Sequence, residues 1–153
     1  MSRAVPQIAL AAACLCCAGG DAAAQPAQPT TGQLIAARQA GMHMAATLYY
    51  RGIKPAAANG SDPKDQVHEA EGIALWARAL PGLFPAGSAR EDSGARPEIW
   101  SDRAGFVQKA EALRAAAARL LELARAGDRA GFAAQAPAVE AACTACHSAY
   151  RAD

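Results

Sequence analysis

The sequence predicts an all-α protein, an antiparallel four-helix bundle. Alanine dominates the chain and β-branched residues are few, which favours helix over sheet. Apolar residues recur every three or four positions along four segments, and no stretch alternates strictly as a half-buried strand would. Turn and capping residues separate the four segments, and one connection is long, as in many four-helix bundles.

The first two predicted helices are separated by a short turn. The first runs from about Gly32 to Ile53, and the second spans about 63–80. Between them, NGSDP at 59–63 supplies a turn, an N-cap at Ser61 or Asp62, and a proline suited to a first helical turn. The residues expected to face the core are Leu34, Arg38, Met42, Ala45 and Tyr49 in the first helix, and Val67, Ile73, Trp76 and Leu80 in the second.

A long crossover loop precedes the third and fourth helices. It is rich in Gly, Pro and Ser and extends from Pro81 to Glu98. The third helix follows a cap at 101–102 and ends before Gly127, and Asp128 caps the fourth. Inside the fourth helix, Pro137 should produce a kink or leave a carbonyl unpaired. The core-facing residues are Phe106, Ala110, Leu113, Leu120, Leu121 and Ala124 in the third helix, and Phe132, Ala136, Val139, Cys143, Cys146 and Tyr150 in the fourth.

The composition fits one globular domain and excludes one class of partner. Hydrophobic residues make up 52% of the chain and charged residues 19%, a balance typical of folded domains. The formal net charge is +1 at pH 7, and no basic patch with interleaved aromatic residues is present. We therefore expect no nucleic-acid partner.

Residues 1–24 have the pattern of a secretory signal peptide. A positive start at Arg3 precedes an apolar run over about 8–18, and small residues end at Ala24. The run is too short for a stable membrane span, although a lipoprotein anchor at Cys14 is an alternative. We expect export to the periplasm of a chain with a linker over 25–31 and the bundle over 32–153.

Removal of the signal peptide changes the cysteine count. Cys14, Cys16 and Cys17 leave with it, so that only Cys143 and Cys146 remain. The mature chain then carries a single C-x-x-C pair into an oxidising compartment.

That pair belongs to the motif C-x-x-C-H at 143–147, the attachment signature of c-type haem. Residues three and four apart share one face of a helix, so Cys143, Cys146 and His147 point the same way. Two thiols one turn apart can add to the two vinyl groups of a haem as thioethers, and the adjacent imidazole can reach the iron. The motif predicts one covalently bound haem c.

Other chemistries are open to the same residues. An exported C-x-x-C pair could form a disulfide. A zinc site would need a fourth ligand, which only His43 or His68 could supply. A thioredoxin-like redox pair would need a βαβ context, which the sequence lacks. The competing class of protein is a non-haem structural or metal-binding helical protein in which the motif is accidental.

The motif and three further stretches together resemble the cytochrome c′ family, the class II c-type cytochromes. CTACHSAYR stands near the C-terminus, and ARQAGM at 37–42 is similar to the family's first-helix signature. LFPAGS at 83–88 is similar to the family's loop before helix three, and ARPEIW at 95–100 to the start of that helix in some members. The likeness covers about 32–151, nearly all of the mature chain.

The resemblance implies roles for the residues of these stretches. Cys143 and Cys146 would be the thioether attachments and His147 the proximal iron ligand. Arg38 and Gln39 would lie against the haem propionates, an arrangement that suits a guanidinium beside a carboxylate. A surface contact with an acidic side chain is the alternative for these two residues.

Two further positions flank the iron in this interpretation. Met42 lies one turn after Arg38, where the family places a bulky apolar residue over the distal face of the iron. Its thioether can block that face or ligate the iron; we favour blocking, with ligation as the alternative. His43 lies about 100° from the Met42 line and is expected to be exposed or interfacial. Arg151 would hydrogen-bond on the proximal side, or be solvated near the chain end.

The resemblance implies an exported haem protein whose five-coordinate iron binds small diatomic gases, nitric oxide or carbon monoxide. Electron transfer with redox partner proteins is the second implied role, and it would be the sole role of a low-spin protein ligated by Met42. Family members often pair through their first two helices, which implies a homodimer. No nucleophile–base set or substrate pocket is recognisable, so we do not expect an enzyme.

Overall fold

The computed structural model describes residues 28–152, and the predicted signal peptide and Cys14 lie outside that range. Within it no strand forms, and the chain is mostly α-helical. The helices are α1 (Thr31–Thr47), α2 (Lys54–Asn59), α3 (Val67–Ala79), α4 (Glu98–Ser101), α5 (Arg103–Ala126) and α6 (Arg129–Tyr150). A π-helical segment (Leu48–Ile53) joins α1 to α2, and short 3-10 helices cover Pro63–Gln66, Leu80–Leu83 and Glu91–Ser93.

The four longest helices build the bundle. α5 packs against both α3 and α6, and α1 with its π-helical continuation packs against α3. The all-α four-helix architecture predicted from the sequence is confirmed.

The predicted end of the first helix is wrong. Helical structure does not stop at Ile53 but continues to Asn59, and Gly60 ends it at a φ of 67°. In the π-helical segment the N–H of Lys54 donates to the carbonyl of Tyr49, five residues earlier. The regular α-helical hydrogen bonds between residues four apart are therefore already interrupted before Pro55. This proline lies in the first turn of α2, where a missing N–H is tolerated.

Side-chain caps fix the other helix starts. Thr30 and Gln33 form a reciprocal capping box at α1. Asp62 accepts from the N–H of Lys64, which selects it over Ser61 as the predicted cap. Asp102 and Asp128 each accept an N–H of the first turn of α5 and α6. These caps satisfy amide groups that have no partner inside the helix.

The structure adds detail to two predicted features near the later helices. The crossover loop contains two of the 3-10 helices, and α4 forms at 98–101 immediately before Asp102. α6 passes through Pro137 and continues to Tyr150, so the proline does not end the helix.

The core has two parts. The residues predicted to face it are all buried or half-buried. One cluster fills the middle of the bundle around Ile53, Ile73, Leu120, Phe132 and Val139. The second lies near the end of α6 and consists of Trp76, Leu80, Phe84, Ile99, Phe106, Ala110, Cys146 and Tyr150. Within the described residues no helix is both long and apolar enough to cross a membrane.

Candidate functional site

A largely apolar cavity of about 460 Å³ lies beside the second core cluster. Helices α1 and α6, which are far apart in the sequence, both contribute to its wall. Six of the seven predicted site residues line it: Arg38, Gln39, Met42, Cys146, His147 and Arg151. The remaining one, Cys143, is half-buried one turn before Cys146 and packs against the central cluster.

The two thiols and the imidazole occupy successive turns of α6. No disulfide joins Cys143 to Cys146, so the disulfide alternative is not formed. Burial raises the pKa of both thiols, and the neighbouring Cys146 and Glu140 raise that of Cys143 further. A thioredoxin-like pair instead has a cysteine whose pKa is lowered, so the environment does not favour that redox chemistry.

His147 is half-buried in the cavity wall. Burial, and then the charge of Arg151, lower the pKa of its imidazole. The ring is therefore neutral at neutral pH, which is the form that coordinates a metal.

Arg38 is buried, with 4% of its surface exposed, and is anchored to the crossover loop. Its Nε donates to the carbonyl of Leu83 at 2.6 Å and its Nη1 to that of Ser88 at 3.2 Å, while Nη2 contacts the Ser88 hydroxyl. The guanidinium also stacks over the ring of Phe84, 4.1 Å from its centroid. Among the described residues no carboxylate pairs with it, so the surface salt bridge considered for Arg38 is not formed.

Other residues of α1 line the cavity at different depths. Met42 is half-buried and also packs against the second core cluster, whereas Gln39 and His43 are exposed. His43 was expected to be exposed or interfacial; it is exposed, and it also borders the cavity. α1 therefore presents an apolar side chain inside the cavity and two polar ones at its mouth.

Sequence reasoning assigned no site role to the aromatic wall or to the segment that closes the cavity. Phe84, Phe106 and Tyr150 supply the aromatic wall, and Ile99 adds an aliphatic side chain. The chain end pairs with the crossover loop, because the N–H of Arg96 donates to the carbonyl of Tyr150 at 3.0 Å and that of Ala152 to Gly94 at 3.0 Å. The stretches LFPAGS and ARPEIW indicated that this loop mattered, but no sequence pattern indicates the pairing.

The donor set fits a haem and not a zinc ion. Within residues 28–152 no three His, Cys, Asp or Glu side chains converge as a metal cluster would require. A large apolar cavity, two thiols one helical turn apart, a neutral imidazole and a buried guanidinium are instead the groups that hold a haem c.

Comparison with known proteins agrees with this chemistry. The sequence model of the family described as Cytochrome C′ matches residues 33–151. A cytochrome c′ from Rubrivivax gelatinosus is 31% identical over 124 residues, which cover 78% of this chain and 95% of that protein. One from Alcaligenes xylosoxydans xylosoxydans is 46% identical over 76 residues, which cover 50% of this chain and 54% of that protein.

Solved structures show the same relationship. A nitric oxide complex of a variant of cytochrome c prime from Alcaligenes xylosoxidans superposes with a TM-score of 0.75 at 29% identity, covering 83% of this chain and 99% of that one. A carbon monoxide-bound variant of the same protein gives a TM-score of 0.75 at 29% identity, covering 83% and 100%. The match to the family over nearly all of the described chain, together with the fold and the C-x-x-C-H motif, shows that this protein belongs to the cytochrome c′ family and is a c-type cytochrome with one haem bound covalently through Cys143 and Cys146.

Proposed function

We propose that this protein binds small diatomic gases, nitric oxide and carbon monoxide, at a five-coordinate haem iron in the periplasm, and exchanges electrons with redox partner proteins. One observation carries the proposal: the first-helix residue Met42 and the motif residues Cys146 and His147 line a single, largely apolar cavity. When bound, the haem supplies an iron that coordinates gases and changes oxidation state.

In this proposal His147 would hold the haem iron through its imidazole. It follows Cys146 directly, lines the same cavity and is held neutral by burial. A histidine placed by the attachment motif on one face of a helix is pre-oriented, so little side-chain entropy is lost when it coordinates.

Met42 occupies space on the cavity wall contributed by α1. It is half-buried and packs against the second core cluster, which favours a space-filling role over ligation. An apolar side chain at this position admits small uncharged ligands, and it discourages water and anions because it offers them no hydrogen bond.

Arg38 and Gln39 are the proposed contacts for the haem propionates. The loop contacts of Arg38 use three of the five N–H groups that an arginine offers. Two donors are left for a carboxylate. Gln39, exposed at the cavity mouth, has an amide that could donate to the same group.

Electron exchange is supported by the exposed cavity mouth. Gln39 and His43 border the cavity and are both solvent-exposed, so a macrocycle bound there would have an accessible edge. The proposed role is therefore that of a carrier of electrons and gases and not that of an enzyme.

A homodimer through the first two bundle helices is part of the same proposal. Met44 on α1 and Leu75 on α3 have 46% and 59% of their surfaces exposed. Contiguous exposed apolar patches are a feature of subunit contacts, and α1 and α3 pack against each other. Sedimentation velocity measured over a range of protein concentrations tests this part.

The spectrum of the ferrous holoprotein tests the proposed function. Absorption and resonance Raman spectra should show five-coordinate, high-spin iron, and added carbon monoxide or nitric oxide should change them in a saturable way. A low-spin spectrum without gas would contradict the proposal and favour the alternative in which Met42 is the sixth ligand and the protein acts in electron transfer alone.

A further inference from the structure

His147 borders two cavities of opposite character. One is the largely apolar cavity described above. The other is a polar pocket of about 520 Å³, lined by Tyr50, Arg96, Thr144, His147, Ser148 and Arg151. The imidazole therefore lies in the wall between a place for an apolar macrocycle and a place for polar ligands.

The charged side chains that line the polar pocket are arginines. The chain-end pairing with the crossover loop sets Arg96 and Arg151 beside each other, through the N–H of Arg96 on the carbonyl of Tyr150 and an antiparallel bridge between Ala95 and Arg151. The Arg96 guanidinium is also held to α6, where Nη1 donates to the carbonyl of Ser148 at 3.4 Å. Ion pairs among the described residues use other cations, so neither arginine has a carboxylate partner there.

The neutral polar groups around the pocket are already engaged. The Tyr50 hydroxyl donates to Glu140 at 3.2 Å, and Ser148 donates to the carbonyl of Thr144 at 2.9 Å. Glu140, which accepts from Tyr50, forms an ion pair with Lys54 at 2.8 Å. Among the described residues, the pocket lining thus has a surplus of positive charge.

The imidazole adds a donor that needs an acceptor. A histidine that binds a metal through one ring nitrogen almost always donates its other N–H to a carboxylate, a carbonyl or water. The residues described here supply no hydrogen-bond partner to the ring of His147. Both guanidinium groups can only donate, so residues 28–152 offer three donors around one pocket and no charged acceptor in its lining.

We propose that this polar pocket binds a small oxyanion, which accepts hydrogen bonds from Arg96, Arg151 and the free ring nitrogen of His147. The binding of an oxyanion is inferred from the pocket alone. The contact to His147 also rests on the proposed role of that residue as the ligand of the haem iron. An anion in this position increases the basicity of the imidazole. It therefore strengthens the bond from the histidine to the iron and stabilises the ferric over the ferrous state.

The probe is inorganic phosphate, which is added to the ferric holoprotein at constant ionic strength. Sodium chloride at the same ionic strength is the comparison. We expect saturable binding by calorimetry, weakened about tenfold or more by Arg96→Gln and by Arg151→Gln, since each removes a charge-assisted hydrogen bond. Arg129→Gln, at the opposite end of the same helix, loses the same charge and should leave the affinity unchanged. In the ferrous form, phosphate should raise the iron–histidine stretching frequency of the wild type and not that of Arg96→Gln.

Three results would overturn this inference. Phosphate could bind no more tightly than chloride. Arg129→Gln could also weaken binding as much as the pocket variants do. Either result would show that phosphate only screens the charge of the protein in general. Phosphate could also bind without moving the iron–histidine frequency, which would remove the contact to His147. Failure of the proposed function is distinguishable, because the phosphate-free spectrum would then lack five-coordinate, histidine-ligated iron.

Discussion

The hydroxyl of Tyr150 donates a hydrogen bond to Oδ2 of Asp102 at 2.7 Å. Tyr150 is the last residue of α6, and Asp102 is the N-cap of α5, where its other carboxylate oxygen accepts from Gly105 at 3.1 Å. The ring of Phe106 packs edge-to-face against that of Tyr150 with 5.4 Å between centroids. One side chain therefore ties the helix end that carries the haem motif to the start of its neighbour in the bundle.

Tyr150→Phe tests this connection through pH. The hydrogen bond to Asp102, and then burial, raise the pKa of Tyr150 from 10.0 to about 12. The folded state therefore holds the phenol proton more tightly, and the stabilisation is complete below 10.0 and is lost as the pH rises towards about 12. In urea unfolding, the stability difference between wild type and Tyr150→Phe should shrink over that range. A difference that does not change with pH would contradict the role of the bond.

Arg38→Gln should lower the free energy of unfolding by about 2–4 kcal/mol, because it leaves buried carbonyl groups of the crossover loop without a charged donor. The affected acceptors are the carbonyls of Leu83 and Ser88. Gln39→Ala is the matched control, since Gln39 is adjacent but exposed and should change stability by less than about 0.5 kcal/mol. Equal losses in the two variants, measured by urea unfolding, would show that Arg38 does not anchor the loop.

Gly41→Ala should destabilise the contact between α1 and α3. A β-carbon at this buried position would overlap the six-membered ring of Trp76, and overpacking of this kind costs about 1–3 kcal/mol. At Gly32 in the first turn of α1, the nearest contact of a β-carbon is the Thr30 hydroxyl at 4.0 Å. Gly32→Ala should therefore be neutral or stabilising by up to about 1 kcal/mol. Thermal unfolding of both variants checks the prediction, and a neutral Gly41→Ala would place the helices farther apart than described.

Met42→Ala should speed carbon monoxide binding to the ferrous protein. If the side chain blocks the site, its removal should lower the barrier to carbon monoxide binding, and a decrease of about 1.4 kcal/mol makes binding tenfold faster. The spectrum of the gas-free protein should stay high-spin. Met44→Ala is the control, because Met44 is 46% exposed and outside the cavity lining. Stopped-flow mixing with carbon monoxide measures both variants. Conversion of a low-spin spectrum to a high-spin one in Met42→Ala would instead identify Met42 as a ligand.

Much of the fold could be predicted because local signals agree with tertiary packing. The core stripes of the helices, the caps at Asp102 and Asp128 and the stop at Gly127 all follow from residue chemistry and spacing. Helical structure extends beyond the predicted end of the first helix because Pro55 lies in the first turn of α2, where a missing N–H is tolerated. The π-helical segment that precedes this proline packs against α3, a tertiary contact that no local sequence pattern encodes.

Part of the site could also be predicted from the sequence, and part could not. The motif and its helical spacing placed Cys146 and His147 together, and the resemblance of ARQAGM added Arg38 and Met42 from a distant helix. The anchoring of Arg38 to Leu83 and Ser88 was not predicted, because it joins residues about 45 to 50 positions apart through backbone carbonyls. Any residue has such a carbonyl, so the sequence carries no signal for the contact.

The mass of the intact protein shows whether Cys143 and Cys146 hold a haem covalently. The protein should be produced in cells that mature c-type cytochromes and then denatured in acidified organic solvent, which strips a haem that is not covalently held. We expect a polypeptide mass increased by one haem, and no such increase in a variant with both Cys143→Ala and Cys146→Ala. A wild-type mass equal to that of the bare polypeptide would mean that no haem is covalently attached.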